Sequence, residues 1–101
     1  MTFPTVPTDP GVTRQVLAEN PDMMVVAFRF DDGAEGKLHS HPHVQASYVA
    51  AGRFDFTVDG MTCGLQAGDS VIVPSGAEHG CRCTATGTLI DTFTPRRDDF
   101  L

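Results

Sequence analysis

Three of the chain's four histidines fall inside "HSHPHVQ", at His39, His41 and His43, and the same run ends on Gln45. Imidazole nitrogens and an amide oxygen are neutral ligands for divalent transition metals. In an extended strand, residues of equal parity share a face, so His39, His41 and Gln45 can point the same way. His79 opens a later apolar segment, "HGCRC", after turn-rich sequence that folds it back beside the first group. Three imidazoles and one amide make a metal site with positions left over for water or a substrate. Nickel, zinc, manganese, iron and cobalt all fit such a set. His43 has the same parity, but Pro42 interrupts the strand, which leaves it at the rim or behind the ligands.

Strands are the elements available to position these groups. No stretch has a helical apolar period, whereas "VTRQVL" (12–17) and "MMVVAFRF" (23–30) read as strands around the turn-like "ENPD". "QASYVAA" leads to Gly52. "RFDFTV" then alternates cleanly and puts Phe54, Phe56 and Val58 in the core. Asp59-Gly60 is a strong two-residue hairpin signal, followed by "MTCGL", "SVIVP", "HGCRC" and "TLIDTF". About eight short strands with turns between them predict an all-β sandwich or small barrel. One strand is expected to carry His39, His41 and Gln45 together.

The bulk properties narrow the function. At 101 residues the chain is read as one domain, 1–101, with residues 1–11, rich in proline, as an extended N-terminal arm that reaches toward a partner subunit. A net charge of -6 and a pI near 4.8, with Arg96-Arg97 the only adjacent cations, argue against nucleic acid. No apolar run is long enough for a membrane span, and "MTFPTVPTDPG" has neither the basic start nor the apolar centre of a signal peptide. The expected compartment is the cytoplasm, with all three cysteines reduced. An anionic ligand gains nothing from the overall field here and needs a local cation.

Two spaced patterns carry a family resemblance. From Gly33 there are five residues to His39, one to His41, three to Gln45 and six to Gly52; from Gly68 there are five to Pro74, one to Gly76 and two to His79. Together they resemble the two cupin motifs, with Gln45 where many members have glutamate and Cys83 where the usual last residue is asparagine. The resemblance implies a double-stranded β-helix, a jelly-roll barrel with the metal inside. The whole chain further resembles one subgroup, the KdgF-type pectin-degradation proteins, through "HSHPH", "SYV", "GDS", "EHG" and "LIDTFTPRRDDFL". That implies a cytoplasmic, homodimeric enzyme that turns 4,5-unsaturated uronate monosaccharides into linear ketonised sugar acids. It implies His39, His41, Gln45 and His79 as metal ligands, and Asp91, Phe93 and Arg97 as pocket residues that handle the anionic sugar.

The residues themselves are compatible with those roles. Asp91 and Phe93 share a face with Leu89, an unusual setting for a carboxylate, and burial there would raise its pKa toward that of a general acid. Arg97 follows the strand end, and its planar fork matches a carboxylate. Tyr48 has the opposite parity and points outward. Plainer roles exist for several of them: Gln45 as an internal hydrogen-bonding group, Asp91 as a turn cap or ion-pair partner, and Arg97 as a tail charge paired with Asp98 or Asp99. Cys81 and Cys83 share parity with His79, either lining the cavity or buried and inert. Other functions compatible with the motifs are a different cupin enzyme, such as a sugar isomerase or dioxygenase, and a non-catalytic ligand-binding cupin.

Overall fold

In the computed structural model, which describes residues 2–101, two-thirds of the chain lies in eight antiparallel strands. These are β1 (Thr5–Pro7), β2 (Val12–Asn20), β3 (Met23–Phe30), β4 (Glu35–His39), β5 (Val44–Val58), β6 (Met61–Gln66), β7 (Ser70–Val73) and β8 (His79–Thr94), followed by a 3-10 turn at Asp98–Phe100. The sheet order is β1-β2-β3-β8-β5-β6, with β4 on β8 and β7 on β5. The strands close as the double-stranded β-helix of a jelly roll.

The strand count matches the sequence reading, but the strands are partly different ones. "QASYVAA" and "RFDFTV" form one continuous strand, β5, and "HGCRC" and "TLIDTF" form another, β8. In the sequence each is interrupted by small or polar residues that look like breaks. They are bends, and they coincide. Gly52, at φ +78°, faces Gly87 where the β5–β8 register shifts. A Cβ on Gly52 would lie 2.4 Å from the Ala85 carbonyl oxygen, and one on Gly87 would lie 2.1 Å from that of Ala51. Only two glycines let the backbones approach this closely. Beyond the bend, β8 changes neighbours: His79 to Arg82 pair with β4, and Gly87 to Phe93 pair with β3. The two strands absent from the sequence reading, β1 and β4, are short and mostly exposed, so they carry little apolar period. β1 lies along β2 of its own chain, Thr5 opposite Gln15.

Alternating residues build the core. Phe54, Phe56, Val49, Val73, Val12, Phe30 and Leu89 form one buried cluster, and Val16, Met24, Val26 and Phe93 form a second. Each large side chain contributes roughly 1.5–3 kcal/mol by leaving water. The outward rows of β5 and β7 leave Tyr48 and Ile72 exposed. Among the described residues no helix is long and apolar enough to cross a membrane.

Gly87→Ala should destabilise the protein by about 2 kcal/mol or more, as overpacking against backbone does. Gly64→Ala, whose Cβ meets nothing nearer than Asp55 Oδ1 at 3.8 Å, should be tolerated. Urea denaturation of both variants measures the difference.

Candidate metal centre and adjoining cavity

His39 ends β4, His79 begins β8, and the two are register partners. His41 stands in the loop before β5, and Gln45 is the second residue of β5. The ligand candidates therefore come from three strands, β4, β5 and β8, and the loop between β4 and β5, which corrects the expectation of one strand carrying His39, His41 and Gln45. Pro42 ends the ladder, and the even spacing that parity relied on spans a loop. The ligand atoms of His39, His41 and His79 nevertheless all lie within 4.8 Å of one another. His79 is 2% exposed, whereas His39 is at the rim, so the group faces outward along the barrel mouth.

The hydrogen bonds of the three rings follow one pattern. Nδ1 of His39 lies 2.8 Å from the Lys37 carbonyl, that of His79 lies 3.0 Å from Ala77, and that of His41 lies 3.1 Å from His43. With Nδ1–H donating to each carbonyl, every Nε2 presents a lone pair. Backbone carbonyls commonly orient metal-bound histidines in this way. Nε2 of His79 is buried without a partner among the described residues. Nε2 of His41 lies 3.0 Å from Gln45 Oε1. Gln45 donates from Nε2 to Ser47 Oγ at 2.9 Å and to Asp91 Oδ2 at 3.2 Å, which turns its carbonyl oxygen toward His41. A neutral His41 cannot donate from both nitrogens, so one of its two oxygen contacts needs a proton or a cation. Burial, with Arg97 nearby, holds its pKa below the ordinary value, and burial brings His79 down to about 4. An extra proton is therefore disfavoured. The donor set fits a divalent metal.

Asp91 lies behind this group, opposite Ser47 on β5, and is 5% exposed. Burial pushes its carboxyl up to about 7, against the opposing influences of the Ser47 hydroxyl and the Arg97 charge. Oδ2 accepts from Gln45, and Oδ1 has no partner among the described residues. Asp91 lines a cavity of about 280 Å³ together with His39, Gln45, His79, Phe93 and Arg97. Arg97 takes both positions the sequence allowed: its guanidinium lies 5.2 Å from the Phe93 ring centroid, and its Nε and Nη2 donate to the two carboxylate oxygens of Asp99 at 3.0 and 2.9 Å. Cys81 lines the same cavity, where burial pushes its thiol up to about 12, so it is no thiolate nucleophile. Cys83 is packed in the core instead. His43 does not join the three-histidine group. Its ring packs edge-on against His41, at 5.4 Å between centroids.

Residues 26–92 match the cupin domain. The chain belongs to the cupin family. It is 39% identical over 93 residues to the pectin degradation protein KdgF of Dickeya dadantii (strain 3937), covering 90% of this chain and 84% of that protein. An RmlC-like cupin from Shewanella frigidimarina NCIMB 400 superposes with a TM-score of 0.94 at 45% identity, over 98% of this chain and 89% of that one. KdgF from Halomonas sp. also gives a TM-score of 0.94, at 35% identity, over 100% and 98% of the two chains. This cupin is thus of the KdgF type.

The cupin cavity also holds residues that the sequence did not single out. Arg14 lies on β2 between buried Val12 and Val16, and Phe100 comes from the C-terminal turn. Arg14 carried a legible signal, because a cation at the inward parity of "VTRQV" is out of place in a core strand. Phe100 carried none, since nothing in "RRDDFL" says that the chain turns back over the barrel.

In metal-free protein, two buried groups impose opposite pH dependences. His79 stays neutral in the fold at about 4 against an ordinary 6.5. Its contribution is present above about 6.5 and lost as pH falls toward about 4. Asp91 is raised from 3.8 to about 7. Its contribution is present below about 3.8 and lost as pH rises through about 7. Asp91→Asn removes the second effect. Chelated variant and parent should differ least near pH 4, and the variant should gain up to roughly 4 kcal/mol relative to the parent by about pH 7. Urea melts across that range measure the gap.

Proposed function

We propose that this cupin opens and ketonises 4,5-unsaturated uronate monosaccharides from pectin or alginate breakdown, giving the linear 4-deoxy-5-keto uronate. The observation that carries the reading is the buried Asp91 carboxyl, poised near neutrality beside a set of neutral ligands in a cavity that also holds cations. The similarity to KdgF proteins, one of them named for pectin degradation, supports it. The cavity volume of about 280 Å³ lies at the small end for ligand pockets, which favours a monosaccharide over an oligosaccharide.

His39, His41, Gln45 and His79 would hold a divalent transition metal. Bound there, it supplies Lewis acidity at substrate oxygens where negative charge develops. Because all four ligands are neutral, the full charge of the ion remains available to an anionic sugar.

The reaction is an isomerisation, so its protons balance. The anomeric hydroxyl gives up its proton, the bond between carbon 1 and the ring oxygen breaks, and carbon 1 becomes an aldehyde. The ring oxygen is left as an enol on carbon 5, which becomes a ketone when carbon 4 gains a proton and the enol oxygen loses its own. Asp91 delivers the proton to carbon 4 and recovers one from the oxygens. Burial raises this carboxyl above the ordinary carboxylate range, which favours the protonated form that gives the proton. Phe93 packs against the sugar, and Arg97 orients its carboxylate.

A homodimer in the cytoplasm belongs to the same proposal. The exposed outward rows of β5 and β7 offer an apolar face for a second copy, with Ile72 60% exposed and Tyr48 beside it.

Freshly made unsaturated galacturonate absorbs in the ultraviolet, and the linear ketone does not. Metal-loaded protein should speed the loss of absorbance above the spontaneous rate, and chelation should abolish the acceleration. Asp91→Asn should cut the rate by about 100-fold or more with metal content unchanged. No acceleration by fully loaded protein would end the ring-opening reading, and full activity of Asp91→Asn would end the proton-transfer role. Sedimentation should show a dimer that Ile72→Asp converts to monomer.

A further inference from the structure

The distribution of charge around the cavity separates its arginines. Of seven cationic side chains in this acidic chain, Arg14, Lys37 and Arg97 line the cavity, whereas among thirteen acids Asp9 and Asp91 do. Arg97 is already neutralised. Asp99 takes Nε and Nη2 in a two-point ion pair. Lys37 is exposed, where water screens it. Arg14 differs from both. It projects from the inward row of β2, its guanidinium carbon sits 4.1 Å from the Phe100 ring centroid, and among the described residues it forms no ion pair and donates no hydrogen bond. Asp9 shares the rim but is not within ion-pair distance of it.

An arginine held between two buried valines with its fork unused is uncompensated charge. The aromatic contact holds the guanidinium by its charge over the ring and takes up none of its N–H donors in a hydrogen bond to an acceptor. Phe100 also holds Arg97, at 4.2 Å, and packs on Phe93 at 5.7 Å between centroids. The C-terminal turn therefore presents one neutralised and one free guanidinium to the same cavity.

We infer that Arg14 is the principal carboxylate-binding residue of this cavity, a role that rests on the proposed uronate reading. Its whole fork is available for a two-point bond to a planar carboxylate. Arg97, with one edge given to Asp99, orients the anion and offsets Asp91. The specificity of the cavity for uronic acids over neutral sugars then depends on a residue of β2, remote in sequence from the motif residues.

The test compares Arg14→Gln and Arg14→Lys with the parent and with Arg82→Gln, which removes the same charge from an exposed position outside the cavity. With unsaturated galacturonate and metal-loaded protein, Arg14→Gln should raise KM by about tenfold or more and change kcat by less than about threefold. Arg14→Lys should fall between, and Arg82→Gln should match the parent. Calorimetric binding of saturated galacturonate and of its methyl ester to the metal-loaded proteins gives a second readout. The loss in Arg14→Gln should appear with the acid and vanish with the ester, and melting temperatures should show that the variants fold. An unchanged KM and affinity for the acid, or an equal loss with acid and ester, would overturn the inference. If the parent binds galacturonate but fails to accelerate ring opening, the enzyme reading falls, while the acid-against-ester comparison still decides Arg14. If the parent binds neither compound, both fall.

Discussion

From Val44 opposite Thr94 to Val58 opposite His79, β5 and β8 pair along almost their whole lengths, and this ladder sets the positions of Gln45, His79, Asp91 and Phe93 in the cavity. It places Gln45 beside Phe93 and Ser47 beside Asp91. Because neighbouring pairs alternate faces, these four inward side chains sit together. A one-residue slip would send Asp91 and Gln45 to solvent and bring Thr92 and Ala46 inside. The Gly52–Gly87 contact prevents a slip, since any other residue at either position would meet backbone. The same bend lets β8 leave β3 and join β4, which brings His79 against His39.

The interior chemistry follows from what that ladder excludes from water. A buried ionised carboxylate is costly, and Asp91 meets this by holding its proton near neutral pH while accepting from Gln45. Gln45 links the two halves of the site. Its amide nitrogen serves Asp91 and Ser47, and its oxygen is thereby turned toward His41. Glutamate at this position would offer only acceptors to Asp91 and add a second buried acid. An amide fits both neighbours at once, and it adds no charge beside the three histidines.

The outer shell is built from charge and aromatic rings. Phe93 and Phe100 stack edge-on, and Arg14 and Arg97 lie on the Phe100 ring. Arg96 closes the turn from outside by bonding Glu19 on β2 and Asp98. The "RRDDF" tail is thus a folded turn in which each arginine has its own acid. As composition it resembles a solvated end.

Local pattern was enough to make the β class, the Asp59-Gly60 hairpin, the Phe54–Phe56 core row and the outward Tyr48 legible, because alternation and turn chemistry act over a few residues. The spacing of His39, His41, Gln45 and His79 was legible too, although through motifs, since parity fails across the Pro42 loop. Merged strands and the short strands β1 and β4 were not, because a bend at a glycine and a true strand end look alike until the opposite strand is known. The sequence alone determined which side chains can alternate inward and which residue types can bind a metal or move a proton. Only the tertiary structure decided that Asp91 touches Gln45, that Asp99 neutralises Arg97, and that Arg14 lines the cavity with no ion pair among the described residues. Those facts depend on register and closure between segments far apart in the chain, and no local propensity encodes them.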